Sequence, residues 1–393
     1  SMKVPFHVGG VVSGAWFTDR AAEVARITTA LREPPHRLLV YGPRRMGKTS
    51  AIHAAVRRAE RSGTRVVVAD LSTVSTAADA ANRIAAAAAH ALGRRWKDLV
   101  AEFVANVGLR LSLHQEPGGL LVPSLELALR RAPHADQMDA LGRTLDALNA
   151  LAAAQDAKLA IVLDEFQELN RLGGTEGEWQ LRGRIQHHSA LSYVLAGSQE
   201  HLIRRMLEKD RAFYGMFDVL RFDAMDERHL ARWIDERMTG AGVAAGGTGA
   251  LIVRLAGPRT HDVMQLARRT FEVAQPQGRA TAPSVGDALE QIVHAESDLI
   301  HTVWDGLTPL QQNVLRAVAA AAEGLTTTHT IERFALASTG SATNAAKALV
   351  ERDILRRADT PTGYAFDSPF VHAWVLINTL PDLGLHPPLP WRT

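Results

Sequence analysis

Four short apolar runs set the pattern of the first two hundred residues, and each is closed by a turn of polar residues, glycine or proline. Arg37-Leu-Leu-Val-Tyr41 runs into Gly42-Pro43, and Val66-Val-Val-Ala ends at Asp70. Leu159-Ala-Ile-Val-Leu163 stops at Asp164-Glu165, and Leu191-Ser-Tyr-Val-Leu-Ala196 stops at Gly197-Ser198. Continuous apolar runs without strict alternation predict strands buried on both faces. Residues 48–61, 77–92, 96–107 and 141–154 read as helices. The segment 111–133, with Pro117-Gly118-Gly119 and Pro123, reads as an irregular insertion that serves as a lid or a hairpin. Strands alternating with helices predict an α/β domain with a parallel sheet covered on both sides. In such a sheet the ligand lies beyond the carboxyl ends of the strands, where the polar residues gather here.

After about residue 222 the strand signal fades. Residues 227–238, 250–255, 261–273 and 285–302 predict a helical second unit. From Leu307 the pattern changes again: helices over 309–322, 330–337 and 341–352, then Ile354-Leu-Arg-Arg357 and Gly363-Tyr-Ala-Phe366 with Pro361 between them. Three helices and a two-stranded ribbon are the order of a winged helix-turn-helix. The expected division is 1–222, a phosphate-loop core; 223–306, a helical lid; and 307–393, a winged helix.

Composition narrows the chemistry. The 393 residues contain no cysteine, which excludes disulfides, thiolate metal sites and thiol catalysis and suits a cytoplasmic setting. No apolar run reaches the roughly 18–20 residues of a membrane span, so no membrane partner is expected. Ser1-Met2 reads as a cleavage scar with no secretory signal after it. Lysine is rare, six against 38 arginines, so Lys48 in a glycine-flanked turn stands out.

Gly42-Pro43-Arg44-Arg45-Met46-Gly47-Lys48-Thr49 fits G-x-x-x-x-G-K-[ST], with Ser50 next, between a predicted strand and a predicted helix. Glycines let the backbone aim its N–H groups at phosphate oxygens, and the helix brings its positive end to the same anion. Lys48 is placed to reach the β- and γ-phosphates of ATP, and Thr49 to ligate Mg²⁺. Asp164-Glu165 closes an apolar strand, as a Walker B pair does. Asp164 is expected to hold the metal and Glu165 to polarise the attacking water. The expected cofactors are therefore ATP or ADP and Mg²⁺.

With these residues in hand, the chain resembles the archaeal-type ATPases of the STAND branch of AAA+ proteins. The resemblance is carried by Gly42 to Ser50, Ile161-Val-Leu-Asp-Glu-Phe-Gln-Glu-Leu169, Leu195-Ala-Gly-Ser198, Phe213-Tyr-Gly215, Ala256-Gly-Pro-Arg259 and the terminal winged helix. It implies that Ser198 is a sensor at the strand beside Walker B and acts with Lys48 and Glu165. It implies that Pro258 and Arg259 contact the nucleotide from the lid, although Ala256 stands where the family has a first glycine. It also implies that Arg44 and Arg45 face the nucleotide or a neighbouring domain, and that Trp16-Phe-Thr-Asp-Arg20 lies near the adenine. Met216 stands where the family often has an arginine, leaving Arg204, Arg205 and Arg211 as substitutes.

The function implied is a Mg-dependent ATPase acting as a molecular switch, which couples nucleotide state to a winged-helix module. Two other readings fit the same domain order. One is an origin-recognition-like, ATP-dependent factor that binds double-stranded DNA. The other is a signalling or defence scaffold that forms homo-oligomers and docks a protein partner through the winged helix. On the recognition helix, Thr343, Asn344 and Lys347 fall opposite the apolar stripe, and Arg356 and Arg357 sit where a wing meets phosphates. Residues 307–393 carry seven basic and seven acidic residues, which lack the basic surplus of a phosphate-neutralising surface. His187-His188 shows no metal-ligand spacing, so Mg²⁺ is the one metal expected.

Overall fold

The computed structural model describes residues 4–6, 8, 20–92, 110–115, 121–126 and 134–392. The chain divides into two compact units, residues 13–223 and residues 1–12 with 224–393.

The first unit is built on a five-stranded parallel sheet in the order β2-β5-β6-β1-β7. Its strands are β1 (Arg37–Tyr41), β2 (Arg65–Asp70), β5 (Leu159–Asp164), β6 (Leu191–Gly197) and β7 (Asp218–Arg221). The four apolar runs are β1, β2, β5 and β6: the three inner strands and the edge strand β2. Alternate residues along them enter different cores: Leu39, Val67, Ile161, Leu163 and Leu195 pack on one face, and Leu38, Val40, Val66, Ala160, Val162 and Val194 on the other. Burial on both faces is why these runs do not alternate in hydropathy. β7, at the opposite edge from β2, gave no such signal, because three of its four residues are exposed.

Helices Ala21–Arg32, Lys48–Arg61, Ala77–Leu92, His134–Ala154, Glu168–Ile185 and Glu200–Met206 accompany the sheet. The expected irregular insertion contains an antiparallel pair, β3 (Arg110–Gln115) and β4 (Leu121–Glu126), in register from Arg110 opposite Glu126. The expected helix over 96–107 and the segment 16–19 lie outside the described residues.

In the second unit Phe6 is buried against Trp233 at 6.0 Å between ring centroids. Helices Glu227–Gly240, Thr248–Ala256, Thr260–Ala274, Ala282–Ala295 and Ser297–Asp305 follow, the last two parted at Glu296 where one helix was expected. Next come helices Pro309–Ala319, Thr328–Arg333 and Thr339–Glu351, with the ribbon β8 (Leu355–Arg357) and β9 (Tyr364–Phe366) paired from Leu355 opposite Phe366. This is the winged-helix order. A further helix, Pro369–Asn378, adds to the elements expected from the sequence. One continuous apolar core runs from Phe6 through all these helices to Trp391. The last residues are strapped on: Trp391 Nε1 donates to Glu290 at 2.9 Å and Arg392 to Asp287 and Glu290. No described helix is long and apolar enough to cross a membrane.

Within this core His372 stacks face to face on Phe366 at 4.8 Å. Burial pushes its pKa down to about 4 from 6.5, against a bond with the Ala319 backbone. Between those values the unfolded chain binds the extra proton, so stability rises with pH across that window and is lost as pH falls through it. The melting temperature of this unit is expected to fall as pH drops from 6.5 towards 4. His372→Phe, which keeps the stack, should flatten the upper part of that slope; an unchanged slope would remove His372 as its cause.

Candidate nucleotide site

The turn after β1 is shaped by three left-handed or strained backbone positions: Gly42 at φ 153°, Arg45 at φ 64° and Gly47 at φ 87°. Gly42 also has no room for a side chain, since a Cβ there would come within 2.5 Å of the Phe222 carbonyl oxygen. Gly47 caps helix Lys48–Arg61 without a side-chain bond. The first N–H groups of that helix have no partner within it and face the turn. Lys48 is buried, and its ammonium donates to the carbonyls of Gly42 at 2.7 Å and Pro43 at 2.6 Å. Met46 and Ser50 are buried, whereas Arg44 and Thr49 are exposed.

Arg20, the one described residue of the segment 16–20, holds this turn from outside. It is 5% exposed, donates to the Met46 carbonyl at 3.2 Å and the Asp223 carbonyl at 2.7 Å, and lies 4.8 Å over the Phe222 ring. It therefore ties the turn to the end of β7.

The acidic pair ends β5, two strands from β1, with β6 between. Thr49 Oγ1 lies 3.4 Å from Asp164 Oδ2, which joins the phosphate turn to Walker B. Asp70, at the end of β2, is the register partner of Asp164. Burial, the negative charges of Glu165 and Asp70, and too little offset from the Glu165 N–H and Lys48 raise the Asp164 pKa. A half-buried carboxylate with an adjacent hydroxyl and a surplus of negative charge is the hard-oxygen set that suits Mg²⁺. His53, one turn beyond Thr49, has its pKa lowered by burial and by Arg57, with Asp164 opposing.

Glu165 has φ 54°, uncommon for a residue with a side chain. Its N–H donates to Asp164 Oδ1 at 2.9 Å, and the following Phe166 N–H donates to the Ala196 carbonyl at 2.7 Å. Ser198 Oγ, at the end of β6, lies 2.9 Å from both Glu165 carboxylate oxygens and accepts from Arg44 Nε at 3.3 Å. The Gln167 side-chain amide also donates to Glu165. No role is expected of Gln167 from the motif alone; its one sequence signal is its place two residues past the acidic pair.

Of the three arginines expected as substitutes, one is engaged in a buried pair. Arg211 makes a two-pronged pair with Glu178, which is 0% exposed and also accepts from Asn170. Arg204 and Arg205 are exposed on helix Glu200–Met206. Met216 packs beside the aromatic cluster of Phe166, Phe213 and Phe217. In the second unit, the cis Gly257-Pro258 turn leads to Arg259, which is 9% exposed and donates through Nε to Asp367 at 3.0 Å. In the wing ribbon Arg356 is half-buried and Arg357 beside it is exposed. Burial and the charge of Arg259 lower the Arg356 pKa, with Asp367 opposing.

Because the pKa of Asp164 is raised on folding, the unfolded chain releases that proton more readily, and the ionised group weakens the folded state at higher pH. The nucleotide-free Asp164→Asn protein is expected to melt above the wild type at alkaline pH. The margin should shrink as pH falls into the carboxylate range, where Asp164 is protonated in both states. A margin independent of pH would assign the gain to something other than this charge.

The family of ATPase domains predominantly from Archaea matches residues 17–239, and a winged helix domain family matches 299–376. No curated protein sequence matches the chain. Among solved structures, a Walker-type ATPase of Pyrococcus abyssi aligns with TM-score 0.61 and 16% identity, over 94% of this chain and 99% of that one. The ORC2 protein of Aeropyrum pernix, in ADPNP and ADP complexes, aligns with TM-score 0.56 and 16% identity, over 90% and 91%. At such identities the likeness shows the fold alone: a phosphate-loop α/β domain followed by a helical unit that ends in a winged helix. The phosphate turn, the acidic pair and the match over more than half of the sequence place the chain in the archaeal-type ATPase domain family.

Proposed function

We propose that the protein is an ATP-hydrolysing molecular switch of the STAND/AAA+ type. The observation that carries this reading is the convergence of Lys48, Thr49, Asp164, Glu165 and Ser198 at the ends of three adjacent strands. In this reading Gly42 to Ser50 cradle the phosphates, and Lys48 exchanges its loop carbonyls for phosphate oxygens. Thr49 and Asp164 hold Mg²⁺, which when bound supplies positive charge at the phosphate oxygens. Glu165 takes a proton from water as the water oxygen bonds to the γ-phosphorus. The bond from that phosphorus to its bridging oxygen breaks, leaving ADP and phosphate. Ser198 links the base to Arg44 on the phosphate turn.

The output side rests on the lid, 223–306, and the winged helix, 307–393. They share one apolar core, and the Arg259–Asp367 pair joins the Pro258 turn to the end of β9. In this reading they respond to nucleotide as one body, and the winged helix docks a protein. Three features favour protein over DNA: Arg356 is half-buried, Arg357 stacks on Tyr364 at 5.0 Å, and Lys347 is the one basic residue on helix Thr339–Glu351.

Glu165→Gln is expected to lower steady-state ATP turnover by at least about a hundredfold while nucleotide still binds; Lys48→Ala should weaken binding itself. Turnover untouched by both changes would sink the enzymatic reading. In a salt titration, a short duplex should bind no more tightly than about 10⁻⁴–10⁻⁶ M near physiological salt, the range of non-specific contact. Tight, steeply salt-dependent binding would instead establish the DNA-binding alternative.

A further inference from the structure

We infer that Gln167 is a positioning residue for hydrolysis: its side-chain amide holds the Glu165 carboxylate from one side while Ser198 holds it from the other. The inference rests on the reading of Glu165 as the base.

Gln167 is 1% exposed, and its Nε2 donates to Glu165 Oε2. Its Oε1 is buried without a hydrogen-bond partner. An orphaned, dehydrated carbonyl opposes folding. An apolar side chain of the same length would fill the space without that penalty, so packing does not account for an amide here. The N–H groups account for it.

The chemistry of the position is narrow. Lysine or arginine beside Glu165 would neutralise the base, and a carboxylate would repel it. A primary amide donates a hydrogen bond at every pH and carries no charge. Its backbone is also fixed, with φ −60° and ψ −18° at the start of helix Glu168–Ile185 and its carbonyl accepting from the Asn170 N–H at 3.1 Å.

The neighbouring strand is cut to fit. A Cβ at Gly197 would come within 2.6 Å of Gln167 Oε1 and 2.7 Å of Ile203. The glycine that ends β6, one residue before Ser198, thus makes room for the amide. The same stretch supplies the second donor, so Glu165, with its left-handed backbone, is gripped by two donors from two elements. The described bonds of the Gln167 side chain go to Glu165 and none to the phosphate turn. Its loss should therefore act on the chemical step and spare nucleotide binding.

The test uses the full chain with Gln167→Met, Glu165→Gln and the double substitution. It combines single-turnover and steady-state hydrolysis with equilibrium binding of a fluorescent ATP analogue. Gln167→Met is expected to lower kcat about tenfold, with KM and the analogue's Kd changed less than about twofold. On the Glu165→Gln background it should cause no further loss, because it acts through that carboxylate. Gly197→Ala, which displaces the amide without altering its chemistry, should give the same drop in kcat and the same spared Kd. The inference is overturned if Gln167→Met keeps full turnover while Glu165→Gln is inactive. Equal losses on both backgrounds, or a loss confined to binding, also overturn it by showing a merely structural role. Wild-type turnover in Glu165→Gln would overturn the base assignment itself, a distinct result.

Discussion

The site depends on β6 lying between β1 and β5. Neighbouring strands are about 4.8 Å apart, so the phosphate turn after β1 and the acidic pair after β5 are roughly 10 Å apart. Whatever ends β6 must stand between them. In the observed register Gly197 pairs with Tyr41, and Leu195 pairs with Leu163. The next residue, Ser198, is therefore delivered between Arg44 and Glu165, where one hydroxyl accepts from the first and donates to the second. A one-residue slip of β6 would turn Ser198 to the other face of the sheet and break the relay. The buried residues of both faces fix that register, so the apolar core specifies a polar contact it does not touch.

The same geometry concentrates negative charge. Asp70, Asp164 and Glu165 end two adjacent strands, and burial makes the ionised Asp164 unfavourable. Glu165 adds a left-handed backbone and Gln167 an orphaned carbonyl. Each opposes folding, and all lie within a few residues of one another. They persist because two large cores on either side of the sheet outweigh them. Strain and unmatched charge of this kind collect where a site is organised for a ligand rather than for stability.

How much of this was legible followed from what each residue packs against. β1, β2, β5 and β6 were readable because burial on both faces leaves an unbroken apolar run, even in β2 at the sheet edge, and Asp164-Glu165 was readable because it ends one. β7 was not, since an edge strand with Asp218, Val219 and Arg221 exposed has the pattern of a loop. Gln167 is a polar residue beside a recognisable motif, and its burial is a tertiary fact. Arg211 illustrates the opposite problem: its partner Glu178 is 33 residues away, so sequence alone could not separate a buried structural pair from a free arginine at a catalytic edge. Arg259 posed the same difficulty, with its partner 108 residues downstream.

The Arg259–Asp367 pair also constrains what the second unit can do. Both groups are nearly buried, and Arg356 brings a second positive charge whose Nε has no partner. Separating a buried pair costs about 3–5 kcal/mol because a charge is left unmatched. That is comparable to the roughly 5.5 kcal/mol of differential binding needed to invert a two-state equilibrium from 1:99 to 99:1. A hinge between the Pro258 turn and the winged helix would therefore add a cost of similar size to the switch itself, before counting the apolar core that spans the same junction. Motion that keeps this unit intact escapes both costs. Within this unit the Pro258 turn is thus held in one frame with the winged helix rather than forming a pivot between the two.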